Sequence, residues 1–406
     1  MRRALLALAG LAILVATLKP DEANAGLGVS VWCVYCDAGA TSDMLVNLLL
    51  FLPLGAAIQL NGWRGWPAWV APALLSAGVE TAQFFIPGRG PSLGDLIFNT
   101  SGAAAGIALV RTAPWWLRPP PRPRRFLLAM AAALPVGAWA LVGCLSGPDF
   151  PRSAYFGQWT PFLANLEWYR GRVTGASLGP IQLPTHRLED SDQARRLLLN
   201  GERLEIRAVA GPRTTALAPL LSIADDSLRE ILIIGPDRDD LVLRYRTRGR
   251  SLRLDQPDLR FPGVMRGIER GDTLSVALWR DAQGYCLQLN DGRRCGLRYA
   301  AGNAWAFLMY PESLPRWLMR LLTFGWVAAL LIPLGLWIRP RALDTGWAAL
   351  ALMGSALVPQ WVGLAPFGPE AWLSAAVGLG VGVAIQVLVA RLLGRGEFVA
   401  LPPRTR

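Results

Sequence analysis

Seven side chains that can carry charge or make hydrogen bonds lie inside or beside apolar runs early in this 406-residue chain. Asp43 and Asn47 share one run, Glu80 and Gln83 a second, Asp95 and Asn99 a third, and Arg89 stands between the last two. Ser76 precedes Glu80 by one helical turn. Spacings of i,i+3 and i,i+4 place each set on one helix face. A carboxylate at membrane depth is costly, so it needs a partner or a task. Acids grouped with an arginine can hold a polar or phosphate-bearing head group, act as general acid and base, or relay protons and cations. A structural reading stands beside each of these. Asp43 and Asp95 can favour helix N-termini, and Asn47, Gln83 and Asn99 can join helices as hydrogen-bond glue. Glu80 fits that reading least, because it sits in mid-helix.

Other reactive residues narrow the chemistry. The single histidine, His186, removes His-clustered metal sites and Ser-His-Asp triads. Cys33 and Cys36 form Cys-x-x-Cys, which fits a redox pair, a metal half-site or a local disulfide. No second cysteine pair or nearby histidine completes a zinc site, so neither metal nor cofactor is expected. Cys286 and Cys295 are symmetric about Asn290-Asp291, and a tight hairpin there would place them opposite each other as a disulfide on an oxidising side. Cys144, within an apolar run, reads as a small apolar residue. Asp225-Asp226 and Asp237, Asp239 and Asp240 can offer oxygens to calcium or serve as solvated turn residues.

The elements that must position these groups follow from the apolar runs. Charged residues make up 17% of the chain, hydrophobic ones 52%, and mean hydropathy is +0.31, which excludes a disordered chain. A membrane helix needs about 20 apolar residues. The candidates are Ala4–Leu18, Met44–Leu60, Pro67–Ile86, Leu93–Val110, Phe126–Leu145, Trp317–Ile338, Thr345–Leu364 and Trp372–Ala390. With a cytoplasmic N-terminus, 14 basic residues fall in short inner stretches against Lys19 and Arg89 in short outer loops. Positive charge stays inside, so both termini are expected in the cytoplasm and residues 146–316 outside it. That outer region holds 24 basic and 20 acidic residues, so most of the net +12 flanks the membrane. Anionic lipid head groups are the expected partners, and no nucleic acid is, since no basic face with interleaved aromatics appears. The opening Arg2-Arg3, its apolar run and Ala23-Asn24-Ala25 fit a cleavable signal peptide and a retained anchor alike.

Between Pro148 and Pro315 short alternating segments replace the apolar runs. Leu204 to Arg207, Leu241 to Arg246, Leu252 to Leu254, Leu274 to Trp279, Tyr285 to Leu289 and Trp305 to Met309 read as strands. Gly211-Pro212, Gly235-Pro236, Gly249 and Asn290-Asp291-Gly292 separate them as turns. Many short strands predict an antiparallel sandwich. With Leu220 to Asp225 added, the pattern resembles a concanavalin A-like, LamG-type jelly roll, a class that implies binding of glycans or proteins.

A second resemblance covers about residues 1–112. Asp43 to Gly55 with its Asn-x5-Pro-x-Gly ending, Val79 to Arg89 with Glu80-x-x-Gln83, and Asp95 to Gly106 with Asp-x-x-x-Asn-x-x-Gly are similar to the VanZ-like membrane family. The family's opening helix is normally retained, which favours an anchor over a signal peptide here. The resemblance implies a bacterial envelope setting and leaves the reaction open. Its namesake is associated with low-level teicoplanin resistance.

The expected architecture is therefore a polytopic α-helical membrane protein of about eight transmembrane helices with an extracytoplasmic all-β jelly-roll sandwich. Residues 1–112 form the VanZ-like helical domain, 113–145 an Arg/Pro linker and fifth helix, and 146–316 the sandwich. Residues 317–393 supply three further helices, and 394–406 a basic cytoplasmic tail. The leading expectation is an inner-membrane protein whose sandwich recognises an envelope glycan, glycolipid or protein. The cluster Asp43, Asn47, Glu80, Gln83, Arg89, Asp95 and Asn99 would engage a lipid-linked or small polar ligand. Two alternatives stay open. One is an intramembrane enzyme using Glu80 and Asp95 as acid and base with Arg89 on a phosphate. The other is a transporter, for which no inverted repeat or paired broken helices is visible.

Overall fold

The computed structural model describes residues 2–20, 31–35, 38–163, 165–310, 314–339 and 342–394. The chain divides into two compact units. The first comprises Met1–Val110, Leu145–Tyr299 and Ala306–Pro315, and the second Arg111–Cys144, Ala300–Trp305 and Arg316–Arg406.

Four helices open the first unit: α1 (Arg2–Thr17), α2 (Ala40–Leu60), α3 (Trp66–Gln83) and α4 (Leu93–Arg111). Their Leu- and Ala-rich composition favours helix, and in lipid only a helix satisfies its own backbone. Gly65, at φ +67°, and Pro67 together set the start of α3. Ile13, Phe51, Leu54, Ile58, Ala68, Val79, Ala103 and Ile107 form the common core. The tightest seam joins α2 to α4. A Cβ on Gly55 would stand 1.9 Å from Ala103 O, one on Gly102 2.3 Å from Leu48 O, and one on Gly106 2.0 Å from Leu52 O. Only glycine allows two helix backbones so close.

The same unit holds eleven strands among its described residues. A five-stranded antiparallel sheet runs in the order β1 (Tyr155–Trp159), β5 (Leu221–Asp225), β6 (Glu230–Asp237), β7 (Asp240–Tyr245), β8 (Leu259–Phe261). A six-stranded antiparallel sheet runs β11 (Gly292–Leu297), β10 (Gly284–Leu289), β9 (Thr273–Asp281), β4 (Leu204–Val209), β2 (Arg172–Leu178), β3 (Ile181–Gln182). Together they form an antiparallel β-sandwich, as the alternation predicts. The β10–β11 hairpin turns at Asn290, which adopts φ +49°, and carries the expected Cys286–Cys295 disulfide with Cα atoms 4.0 Å apart. Two expected strands are something else. Leu252 to Leu254 follows the short helix α8 (Arg248–Ser251), and Trp305 enters a 3-10 helix, Ala301–Phe307. Ten-residue α7 (Ser191–Asn200) is also helical, opened by Asp190, whose Oδ1 accepts from Gln193 N at 2.7 Å.

The sandwich is tied to the bundle through the first turn of α2. Ser42 Oγ donates to Phe307 O at 2.8 Å and accepts from Asp255 N at 2.8 Å. Thr41 adds bonds to Leu252 O and, through its backbone N–H, to Arg253 O.

The second unit contains α5 (Ala113–Leu117), α6 (Pro121–Ser146, up to Cys144), α9 (Arg316–Trp337), α10 (Ala342–Trp361) and α11 (Pro369–Gly394). Its one buried ion pair among the described residues joins Arg124 to Asp344 at 2.6 Å, and Arg124 also donates to Trp337 O. Of all the described helices, five are long and apolar enough to cross a membrane: α2, α4, α6, α9 and α11. Helix α1 spans only 16 residues, α3 carries Ser76, Glu80 and Gln83, and α10 carries Asp344, Pro359 and Gln360.

Inside the sandwich, Tyr245 packs against Tyr285 and Tyr299 with ring centroids 5.5 and 5.7 Å away. Burial pushes the Tyr245 and Tyr299 phenols well above their usual 10, and burial also raises Tyr155, Tyr169, Tyr285 and Tyr310. An opened chain would ionise these groups near pH 10 while the folded chain keeps their protons. Their contribution to stability is therefore complete below about pH 10 and is lost as pH rises beyond it. In an alkaline titration, phenolate absorbance and loss of the strand circular-dichroism signal should rise together. Full phenolate absorbance with intact strand signal would contradict this packing.

Candidate functional site

The polar residues of α2, α3 and α4 meet in one seam on the side of the bundle where α2 begins. Its centre is Ser92, which precedes α4. The Ser92 backbone N–H donates to Glu80 Oε2 at 3.0 Å, and Ser92 Oγ accepts from Asp95 N at 3.0 Å. One residue thus caps α4 and links it to the carboxylate of α3. Across the seam, Asn47 Nδ2 of α2 donates to Asp95 Oδ1 at 2.5 Å. Further along α4, Asn99 Nδ2 donates to Ser76 Oγ at 3.1 Å. Asn99 is 1% exposed and Glu80 9%, so both are withdrawn from solvent and lipid. Asn99 Oδ1 is buried with no hydrogen-bond partner among the described residues.

The start of α4 is covered by residues 31–34. Leu93 N donates to Val31 O at 2.8 Å and Gly94 N to Cys33 O at 3.1 Å. A Cβ on Gly94 would lie 2.4 Å from Val34 O, so glycine is required for this covering segment to approach. Cys33 is disulfide-bonded, and Cys36 lies outside the described residues.

Four of the seven expected residues form this seam, and the other three lie outside it. Asn47, Glu80, Asp95 and Asn99 form it. Gln83, also buried, turns to α1, where its Nε2 donates to Thr17 O at 3.1 Å. Arg89 points the same way, with Nε donating to Lys19 O at 2.9 Å. It makes no ion pair with Glu80 among the described residues. Asp43 lies one turn before Asn47 on α2 and is exposed.

Residues 11–116 match the VanZ/LLP1 family model. That stretch contains every seam residue, and the sandwich and the second unit lie outside the match apart from α5. No curated protein and no solved structure matches the chain.

Sequence reasoning missed Ser92. The signal was present, since Ser92-x-x-Asp95 before an apolar run is the pattern of a reciprocal helix cap.

The acids of the sandwich are engaged with protein groups. Asp225 Oδ1 accepts from Ser227 N and Arg229 N within a turn. Asp237 and Asp258 belong to a buried chain in which Arg244 contacts Asp258 at 2.7 Å and Arg260 contacts both Asp258, at 2.9 Å, and Asp237. Asp239 pairs with Arg213 and Arg266, and Asp240 accepts from Gly263 N. Arginine charge therefore already balances Asp237 and Asp239, while Asp225 and Asp240 accept from backbone N–H groups. Asp281, Cys286 and Cys295 also converge, but both thiols are consumed by the disulfide.

Removing one member of a buried pair costs more than removing both. Ser76→Ala strands Asn99 Nδ2 and should lower stability by roughly 1–3 kcal/mol. Ser76→Ala with Asn99→Ala should regain most of that loss. Thermal unfolding of detergent-purified protein checks both, and an additive double variant would rule out the coupling.

Proposed function

We propose that this chain is a VanZ-like envelope membrane protein that binds a polar ligand or lipid head group at the seam of Asn47, Glu80, Asp95 and Asn99. The observation that carries this reading is the state of two buried seam residues, Glu80 and Asn99. Glu80 is a buried carboxylate held by a neutral backbone N–H, and Asn99 keeps a buried carbonyl oxygen without a bond among the described residues. A purely structural seam would be expected to satisfy such groups from within, because each one left over is costly. A ligand bearing hydrogen-bond donors or a cationic group would satisfy both.

The binding reading is favoured over catalysis. No Ser, Cys or His among the described residues stands ready as an activated nucleophile beside Glu80 and Asp95, and Ser92 is committed to capping. Arg89 turns to the Lys19 carbonyl, which leaves the enzyme alternative without its phosphate-holding group.

In this reading α1, α3 and α10 cross the membrane with the five most apolar helices, both termini are cytoplasmic and residues 146–316 face outward. The inner arginines and the Cys286–Cys295 disulfide support that orientation. The sandwich, of jelly-roll type, would recognise an envelope glycan, glycolipid or protein. Trp279 on its six-stranded sheet has Arg203 and Arg293 at 4.8 and 5.1 Å from its ring. Such a surface presents guanidinium groups and favours an anionic ligand over a neutral sugar.

Reporter fusions test the orientation: one after Val110 and one after Arg339 should read cytoplasmic, and one at Gly249 extracytoplasmic. A cytoplasmic readout at Gly249 would overturn it. For the seam, Glu80→Gln keeps shape and hydrogen bonding while removing charge. It should reach wild-type abundance yet lose function in a glycopeptide-sensitivity or envelope-stress assay. Wild-type behaviour of Glu80→Gln, with Glu80→Ala merely less abundant, would make Glu80 structural.

A further inference from the structure

Helices α6, α9, α10 and α11 of the second unit follow α1–α4 of the first, in the same order and register. Arg2-Arg3-Ala4-Leu5-Leu6-Ala7-Leu8-Ala9 in α1 and Arg124-Arg125-Phe126-Leu127-Leu128-Ala129-Met130-Ala131 in α6 are identical at six of eight positions. Leu52-Pro53-Leu54-Gly55 in α2 corresponds to Ile332-Pro333-Leu334-Gly335 in α9. Gly102-x-x-x-Gly106 in α4 corresponds to Gly378-x-x-x-Gly382 in α11.

One small-residue motif recurring in two membrane helices would mean little. Here the contacts recur as well. Gly335 approaches Leu379 O as Gly55 approaches Ala103 O, with Cβ distances of 2.1 and 1.9 Å. Gly378 meets Ala328 O at 2.2 Å where Gly102 meets Leu48 O at 2.3 Å, and Gly382 meets Ile332 O at 2.2 Å where Gly106 meets Leu52 O at 2.0 Å. Leu48 and Ala328 each stand seven residues before the glycine of their own helix, and Leu52 and Ile332 three. The remaining helices agree. Pro72, Ser76 and Glu80 bury one face of α3, and Ala351, Ser355 and Pro359 bury the matching face of α10. In the α1/α6 register, Thr17 corresponds to Trp139. Thr17 meets the third helix of its bundle through Gln83, and Trp139 meets its own through Ser355, at 3.2 Å.

At the positions that build the seam the two sets differ in polarity. Where the first has Asn47, Glu80, Asp95 and Asn99, the second has Val327, Pro359, Ala371 and Ala375. Ser355, which faces no asparagine, donates to Ala351 O of its own helix instead.

We propose that the four-helix bundle occurs twice in this chain, as α1–α4 and as α6 with α9–α11, and that only the first copy carries a ligand seam. The sandwich is then an insertion between the first and second helices of the second copy. The second copy is a scaffold, and it shows that this bundle closes without the seam. Asn47, Glu80, Asp95 and Asn99 are accordingly ligand-facing residues that the fold does not need. This deepens the binding role above, and the test reads folding alone so that the two can fail separately.

The full-length protein carries the combined change Asn47→Val, Asp95→Ala and Asn99→Ala, the residues of the second copy, with Glu80→Gln. Both members of the Asn47–Asp95 pair go together, and Ser76 can bond its own helix as Ser355 does. The variant should insert at wild-type abundance and unfold within about 5 °C of wild type. A larger drop, or loss from the membrane, would show the seam to be a folding requirement and overturn the proposal. A second arm tests the duplication itself. Gly55→Ala and Gly335→Ala should each deplete folded protein, while Gly10→Ala and Gly325→Ala, which meet open space, should not. Tolerance of Gly335→Ala beside intolerance of Gly55→Ala would overturn the equivalence of the copies.

Discussion

Backbone contact between α2 and α4 is the constraint on which the first unit rests. Within a bilayer, lipid tails are as apolar as leucine, so helices gain little by hiding side chains from their surroundings. Association has to come from close packing and hydrogen bonds. Gly55, Gly102 and Gly106 let the two backbones meet, and three such contacts fix both separation and register. Register then decides the chemistry. Asn47 lies one residue before the contact point Leu48, and Asp95 lies about two turns before Gly102, which meets that same residue. A slip of one helical turn, about 5.4 Å, would carry Asn47 beyond reach of Asp95.

The seam built on that register is economical in residues. Ser92 serves two helices at once, since its backbone N–H meets Glu80 and its hydroxyl caps α4 at Asp95. Residues 31–34 close over the same helix start by taking Leu93 N and Gly94 N. The first backbone donors of α4 are thus satisfied by protein, and the carboxylate of Glu80 faces a low-dielectric interior with a single neutral donor among the described residues.

How much of this could be read from the residues depends on the range of the interaction. Helix-face spacing brought out Asn47, Glu80, Asp95 and Asn99, because i,i+4 periodicity is local and strong. The Cys286–Cys295 hairpin was legible for the same reason. Arg89 was assigned to the acids by charge alone, and its bond to the Lys19 carbonyl depends on where α1 ends, which local pattern does not reveal. Strand β6 was missed because Ile231-Leu232-Ile233-Ile234 is buried on both faces and shows no alternation. Leu252 to Leu254 alternates yet is no strand, since its backbone is taken up by turn bonds to Gly249 and Arg250 and by Thr41 of α2. The repeated bundle is masked in the sequence because the sandwich separates its first helix from the other three, and because the seam's polar residues, which stand out most in an apolar run, have no polar counterparts in the second set.

The position of Ser42 bears on the order in which the molecule can be completed. Its hydroxyl bonds residues 213 and 265 positions further along the chain. At roughly 5–20 residues per second, α2 leaves the ribosome about ten to fifty seconds before those partners exist. Throughout that interval the Ser42 hydroxyl is without the two partners it has in the folded chain. The first bundle can close on its glycines early, but the end where α2 begins is finished only when the last part of the sandwich arrives. Synthesis therefore ends the assembly of the first bundle at nearly the same moment as that of the domain beside it.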